Sequence, residues 1–114
     1  MKTYGFLFES LAIRDLRVYA EGASATVHHY RDSNNLEVDA VVDGGYGRWA
    51  AFEIKLASTR NVLDKAAATL LKFSHAVDVQ SSGAPTALAI LTAGTYAYTR
   101  PDGVAVVPLA ALGA

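Results

Sequence analysis

The chain predicts a mixed α/β fold: one central sheet flanked by helices, with elements in the order α-β-β-β-α-β-β-β. Three observations carry that expectation. Two segments, Gly5 to Ala20 and Ser58 to Val77, place apolar residues at helical spacing. Between them, Leu36 to Val42 and Arg48 to Leu56 read as two strands joined by Asp43-Gly44-Gly45-Tyr46-Gly47. After the second helix, Thr86 to Leu91 is a continuous apolar run of the kind buried on both faces of a sheet.

The elements follow in order. In the first helix Phe6, Ile13, Leu16 and Ala20 form the apolar stripe; Glu9 lies on it, and Arg14 and Arg17 fall elsewhere. A glutamate on a buried face needs a partner or a raised pKa, and a helix-rim pairing with a nearby arginine also fits. Gly22 is the expected left-handed stop. Ala25 to Tyr30 is a strand whose adjacent His28 and His29 point to opposite faces, as structural or surface residues. Arg31 to Asn35 is a polar turn. Ser58 or Thr59 caps the second helix, with Leu63, Ala66, Leu70, Phe73 and Val77 inward and Lys65, Thr69 and Lys72 outward; His75 belongs to the surface. Tyr96 to Thr99 and Val104 to Val107 make a hairpin around Arg100-Pro101-Asp102-Gly103. Tyr96 and Tyr98 share a strand face, which suits core or edge packing better than base stacking. Pro108 opens a short final helix through Leu112.

Composition bounds the function. The 114 residues suit one small domain, residues 1–114, and 52% hydrophobic content supports a packed core. A net charge of −1 argues against a strongly basic coat for nucleic acid, though not against a local basic patch. With no cysteine there are no disulfides or thiolate metal sites. The N-terminus carries no signal-peptide pattern, and no uncharged apolar run reaches the ~18 residues of a membrane span, so a cytoplasmic protein off the membrane is expected. Such an apolar chain with few charges is also expected to form a homodimer or larger assembly.

The paired strands concentrate the chemistry. By strict alternation Leu36, Val38, Ala40 and Val42 share a face against Glu37, Asp39 and Val41; Trp49, Ala51, Glu53 and Lys55 share one against Ala50, Phe52, Ile54 and Leu56. A five-residue loop centred on Tyr46 puts Val41 opposite Ala51 and Asp39 opposite Glu53. Two facing carboxylates repel, and a divalent cation such as Mg²⁺ between them reverses that sign. Lys55 lies roughly 7 Å further along the strand from Glu53. The pattern is D…(D/E)-x-K; an exposed sheet face with scattered charges fits it equally.

Glu on a first helix, Asp on a strand, Glu-x-Lys on the next and then a helix resembles the PD-(D/E)XK, or restriction endonuclease-like, superfamily. More narrowly, Gly5-Phe6-Leu7-Phe8-Glu9, Arg14-Asp15-Leu16, Tyr30-Arg31-Asp32, Leu36-Glu37-Val38-Asp39, Phe52-Glu53-Ile54-Lys55 and Asp102 to Leu109 resemble the uncharacterised C-terminal domain that follows the ATPase module in many bacterial and archaeal AAA-type ATPases. The resemblance spans nearly the whole chain. It implies a restriction endonuclease-like sheet and a relation to an ATPase module. No G-x-x-x-x-G-K-[ST] loop is present, so ATP hydrolysis is not expected of this polypeptide.

The resemblance also implies roles. Asp39 and Glu53, with the Ile54 carbonyl, would hold Mg²⁺ or Mn²⁺; Lys55 would place a water or stabilise phosphate charge; Glu9 would act from the helix, with Glu37 a lesser candidate. The substrate would be a phosphodiester, DNA above all, and Arg31, Arg60, Lys65 and Lys72 the candidate phosphate contacts. The competing class is a non-catalytic module for dimerisation, docking or DNA binding, in which the acids and Lys55 form a buried salt-bridge network.

Overall fold

The computed structural model describes residues 2–45, 48–79, 85 and 87–111, with side chains from residue 7 onward except those of residues 78–79. It contains α1 (Lys2–Gly22), β1 (Thr26–Arg31), β2 (Glu37–Gly45), β3 (Arg48–Lys55), α2 (Arg60–Val79), β4 (Ala87–Thr92), β5 (Tyr98–Thr99), β6 (Ala105–Pro108) and a 3₁₀ turn at Leu109–Ala111. The six strands form one mixed sheet in the order β1-β2-β3-β4-β6-β5. β1, β2 and β3 pair antiparallel, β3–β4 and β4–β6 parallel, and β5–β6 antiparallel. The parallel step from β3 to β4 needs a crossover, and α2 supplies it.

Each helix covers one face of this sheet. Leu63, Ala66, Leu70 and Phe73 of α2 pack with Trp49, Ala51, Ile90 and Val106. Ala12 and Leu16 of α1 pack with Ala40, Ile54 and Leu91. Alternate residues of β3 and β4 therefore enter different cores, which explains why β4 is apolar from Ala87 to Leu91. Phe73 anchors its layer, with ring centroids 4.6 Å from Tyr30 and 5.4 Å from Trp49.

Element ends follow local chemistry. α1 stops in a Schellman arrangement, with Ser24 N–H donating to Glu21 O and Ala25 N–H to Ala20 O. The left-handed residue is Ser24, at φ 57°, not Gly22. Asp32 organises the β1–β2 turn: its Oδ1 accepts from the Asn34 and Leu36 N–H groups while Asn35 takes φ 63°. Thr59 is the α2 cap, its carbonyl accepting from Leu63 N–H. At the β5–β6 turn Gly103, at φ 91°, donates to Arg100 O.

Some sequence expectations change. Strict alternation on β2 fails, because His28 pairs with Val41 but Tyr30 with Val38. One extra β2 residue is accommodated between these pairs, a β-bulge that moves Val38 into the α2-side core while Ala40 stays on the α1 side. The β2–β3 loop is shorter than five residues: Gly45 pairs with Arg48 after a second register shift, using Gly45 at φ 75°. Tyr96 lies before β5 rather than within a strand. The expected loop centre at Tyr46, the turn residues 81–84, Thr86, Leu112 and the Phe6 side chain lie outside the described residues. No described helix is long and apolar enough to cross a membrane.

Candidate functional site

The β2 bulge and the β2–β3 ladder converge on one place. The ladder runs from Gly45–Arg48 to Ala40–Phe52, in the register that sets Val41 opposite Ala51. Beyond it, side chains replace backbone partners. The Asp39 N–H donates to Glu53 Oε2 at 2.9 Å, and the Ile54 N–H donates to Asp39 Oδ2 at 2.8 Å. Each acid thus satisfies a main-chain donor that the splayed strands leave without a carbonyl. A bulge is a means of re-aiming a side chain, and here it sets the Asp39 carboxylate between β2 and β3.

The electrostatics are unfavourable for two ionised acids. Glu53 is buried, and burial, followed by the Asp39 charge, pushes its carboxyl up to about 7. The hydrogen bond from the Asp39 backbone opposes this, as does Lys55, whose Nζ is 4.0 Å from Glu53 Oε1. Lys55 is a third exposed and at the outer limit of an ion pair, so it offsets only part of the burial. Glu9, on α1, is likewise raised, first by desolvation and then by Asp39; Lys55 and His29 act in the opposite direction. The helix therefore brings Glu9 into the electrostatic reach of Asp39 and Lys55. It pairs with neither nearby arginine among the described residues: Arg14 is 3.6 Å from Asp15.

The donor set suits a hard divalent cation. Asp39 and Glu53 each commit one oxygen to a backbone N–H, and Glu53 Oε1 faces the Lys55 ammonium at 4.0 Å. Two carboxylate oxygens beside a raised Glu53 are what a cation that prefers oxygen ligands would relieve. Among the described residues no three His, Asp or Glu side chains come together as a ligand set.

The remaining sequence candidates spread out. Arg31 is exposed at the end of β1, with its Cα opposite Glu37, but Glu37 instead pairs with His29 at 2.8 Å. Arg60, Lys65 and Lys72 are exposed on α2, across the sheet from α1. Arg60 borders a cavity with Asp64, Tyr98 and Arg100, where the Arg100 guanidinium is bound to Asp64 at 3.0 Å and Asp102 at 3.2 Å. Another cavity, of about 190 Å³, joins Glu9 and Asp39 to Ile13, Arg17, His28 and His29. The sequence reading set Arg17 apart from Glu9, yet Glu9, Ile13 and Arg17 recur at i, i+4 and i+8, which puts them on one side of a helix.

Over residues 4–112 the chain matches the family described as a domain of unknown function, DUF4143. No curated protein and no solved structure matches it. Spanning nearly all of the chain, the match shows that this protein belongs to the DUF4143 family.

Proposed function

We propose that the chain is a metal-dependent phosphodiesterase domain of the restriction endonuclease-like kind, acting on DNA, and that it works beside an ATPase module. The observation that carries this reading is the Asp39–Glu53 clamp with Lys55 at its edge. Support also comes from the element order and from the sequence's likeness to domains that follow ATPase modules. A divalent cation, Mg²⁺ or Mn²⁺, held by Asp39, Glu53 and the Ile54 carbonyl would supply charge neutralisation at the phosphate and a more acidic water.

The chain's own residues divide the remaining work. Hydrolysis forms one P–O bond to the attacking water, breaks the bond to the leaving oxygen, and delivers one proton to that oxygen. Lys55, partly exposed, has an ammonium free to turn from Glu53 to a phosphate oxygen or to the water. Glu9, with its raised pKa, holds a proton more readily than an ordinary glutamate and stands on the α1 side of Asp39. Arg31, Arg60, Lys65 and Lys72 are the proposed outer phosphate contacts, needed because a net charge of −1 gives little general attraction.

A second reading has its own observation. Both acids accept backbone N–H groups, so they act as structural clamps even without catalysis, in a module for docking or dimerisation. An assay with purified protein, Mn²⁺ and single- and double-stranded DNA separates the two. Cleavage that is lost in Lys55→Ala and Glu53→Gln supports the enzyme. Cleavage at the wild-type rate in both variants refutes this site, and no cleavage under any metal favours the module.

A further inference from the structure

The cavity between α1 and β1 extends away from the acid clamp. Glu9, Asp39 and His29 border it beside the clamp, and Arg17 borders it further along α1. β1 is the edge strand of the sheet, so this cavity lies at an open margin and is not closed over by another strand. Eight helical residues separate Glu9 from Arg17, about 12 Å along the axis. That span exceeds the axial rise of one nucleotide, roughly 3.4 Å, so Arg17 reaches a different phosphate from the one at the clamp.

Arg17 is suited to bind an anion there. It is exposed, and it forms no ion pair with a described residue, whereas Arg14 sits beside Asp15 and Arg100 is held by two aspartates. The histidines have local partners: His28 Nε2 is 2.9 Å from Thr26 Oγ1, and His29 is 2.8 Å from Glu37. A guanidinium fits two phosphate oxygens at once, and its charge is permanent. Ile13 and Val27 supply an apolar floor between the polar ends.

We infer that the α1–β1 cavity is a track for the DNA backbone, in which Arg17 grips a neighbouring phosphate of the same strand and not the one that lies at Asp39 and Glu53. This rests on the phosphodiesterase reading and adds to it the direction in which the strand leaves the site. It places the track on the opposite side of the sheet from Lys65 and Lys72 on α2.

The test is anisotropy of a fluorescein-labelled 20-nucleotide DNA, single-stranded and as a duplex, titrated with the full chain in Ca²⁺ at several salt concentrations. Arg17→Ala is expected to weaken binding about 10-fold and to lower the salt slope by about one. Arg17→Lys keeps part of the affinity, and Arg14→Ala, on the outward side of α1, leaves it unchanged. Equal affinity of Arg17→Ala and wild type overturns the inference. So does loss of binding in Lys65→Ala/Lys72→Ala with Arg17→Ala unaffected, and so does failure of the wild type to bind either DNA. Cation-dependent melting of the same proteins reads the clamp separately. Arg17-dependent binding with no cation effect on melting would refute the metal-dependent reading while leaving the track in place.

Discussion

Replacing Glu53 by Gln tests the electrostatics of the clamp without metal or substrate. Gln keeps a carbonyl oxygen for the Asp39 N–H and offers an amide donor to the Asp39 carboxylate, so the hydrogen bond at 2.9 Å can persist. What changes is the buried charge. In the folded protein burial and the Asp39 charge push the Glu53 carboxyl up to about 7, against 4.5 for the ordinary group. Between those values the native state holds a proton that the unfolded chain has released, so folding stability falls as pH rises. It is fully present below pH 4.5, declines through about pH 7 and is flat above. At ~1.4 kcal/mol per pKa unit the whole loss is on the order of 3 kcal/mol. Glu53→Gln removes it. Urea denaturation in EDTA at pH 5, 6, 7 and 8 should show the wild type losing stability with rising pH. The variant should change much less and exceed the wild type at pH 8 by up to about 3 kcal/mol, or roughly 10 °C in Tm. Glu9, shifted in the same direction, leaves a smaller slope in both proteins. A wild-type stability that is constant or rises from pH 5 to 8, or a Glu53→Gln protein weaker than wild type at pH 8, would refute this account of the clamp.

Two further outcomes test packing and assembly. Leu70 of α2 is fully buried against β3 and β4, so Leu70→Ala should cost about 2–5 kcal/mol with an unchanged urea m-value; a loss under 1 kcal/mol would mean that α2 does not seal that core. Leu7, Leu11, Val18 and Tyr19 are all exposed on α1 and offer apolar surface for self-association, so light scattering at micromolar concentration should return about twice the 12.1 kDa chain mass, with a monomer mass refuting it.

Much of this architecture was legible because periodicity reports burial. The α2 stripe from Leu63 to Phe73 and the apolar β4 run each identify the neighbours that hide them. The approach of Asp39 to Glu53 followed from hairpin register, and it survives an error in loop length because Val41 still faces Ala51. The bulge was not legible. It is marked by neither Gly nor Pro, and it arises from how β1 and β2 pair over His28 to Tyr30, a tertiary property that alternation within one strand does not carry. The hydrogen bonds of Ile54 and Asp39 to acidic side chains depend on that splay and were equally hidden. Arg17 was missed for a different reason. It follows Glu9 and Ile13 at four-residue spacing, but its charge suggested solvent, and only the edge strand beside α1 turns that position into the wall of a cavity. At the end of α1 the glycine was the wrong signal, since the left-handed position falls on Ser24 two residues later.

The central claim, that Asp39 and Glu53 form a cation-binding pair, is tested most directly by thermal melting of wild type and Asp39→Asn across a Mn²⁺ titration at pH 7.5. A cation that binds only the folded chain stabilises it by ~2.7 kcal/mol at 100 times its Kd, so the wild-type Tm should climb with Mn²⁺ while that of Asp39→Asn stays level. A wild-type melting curve that does not move up to millimolar Mn²⁺, or an equal rise in Asp39→Asn, would contradict it.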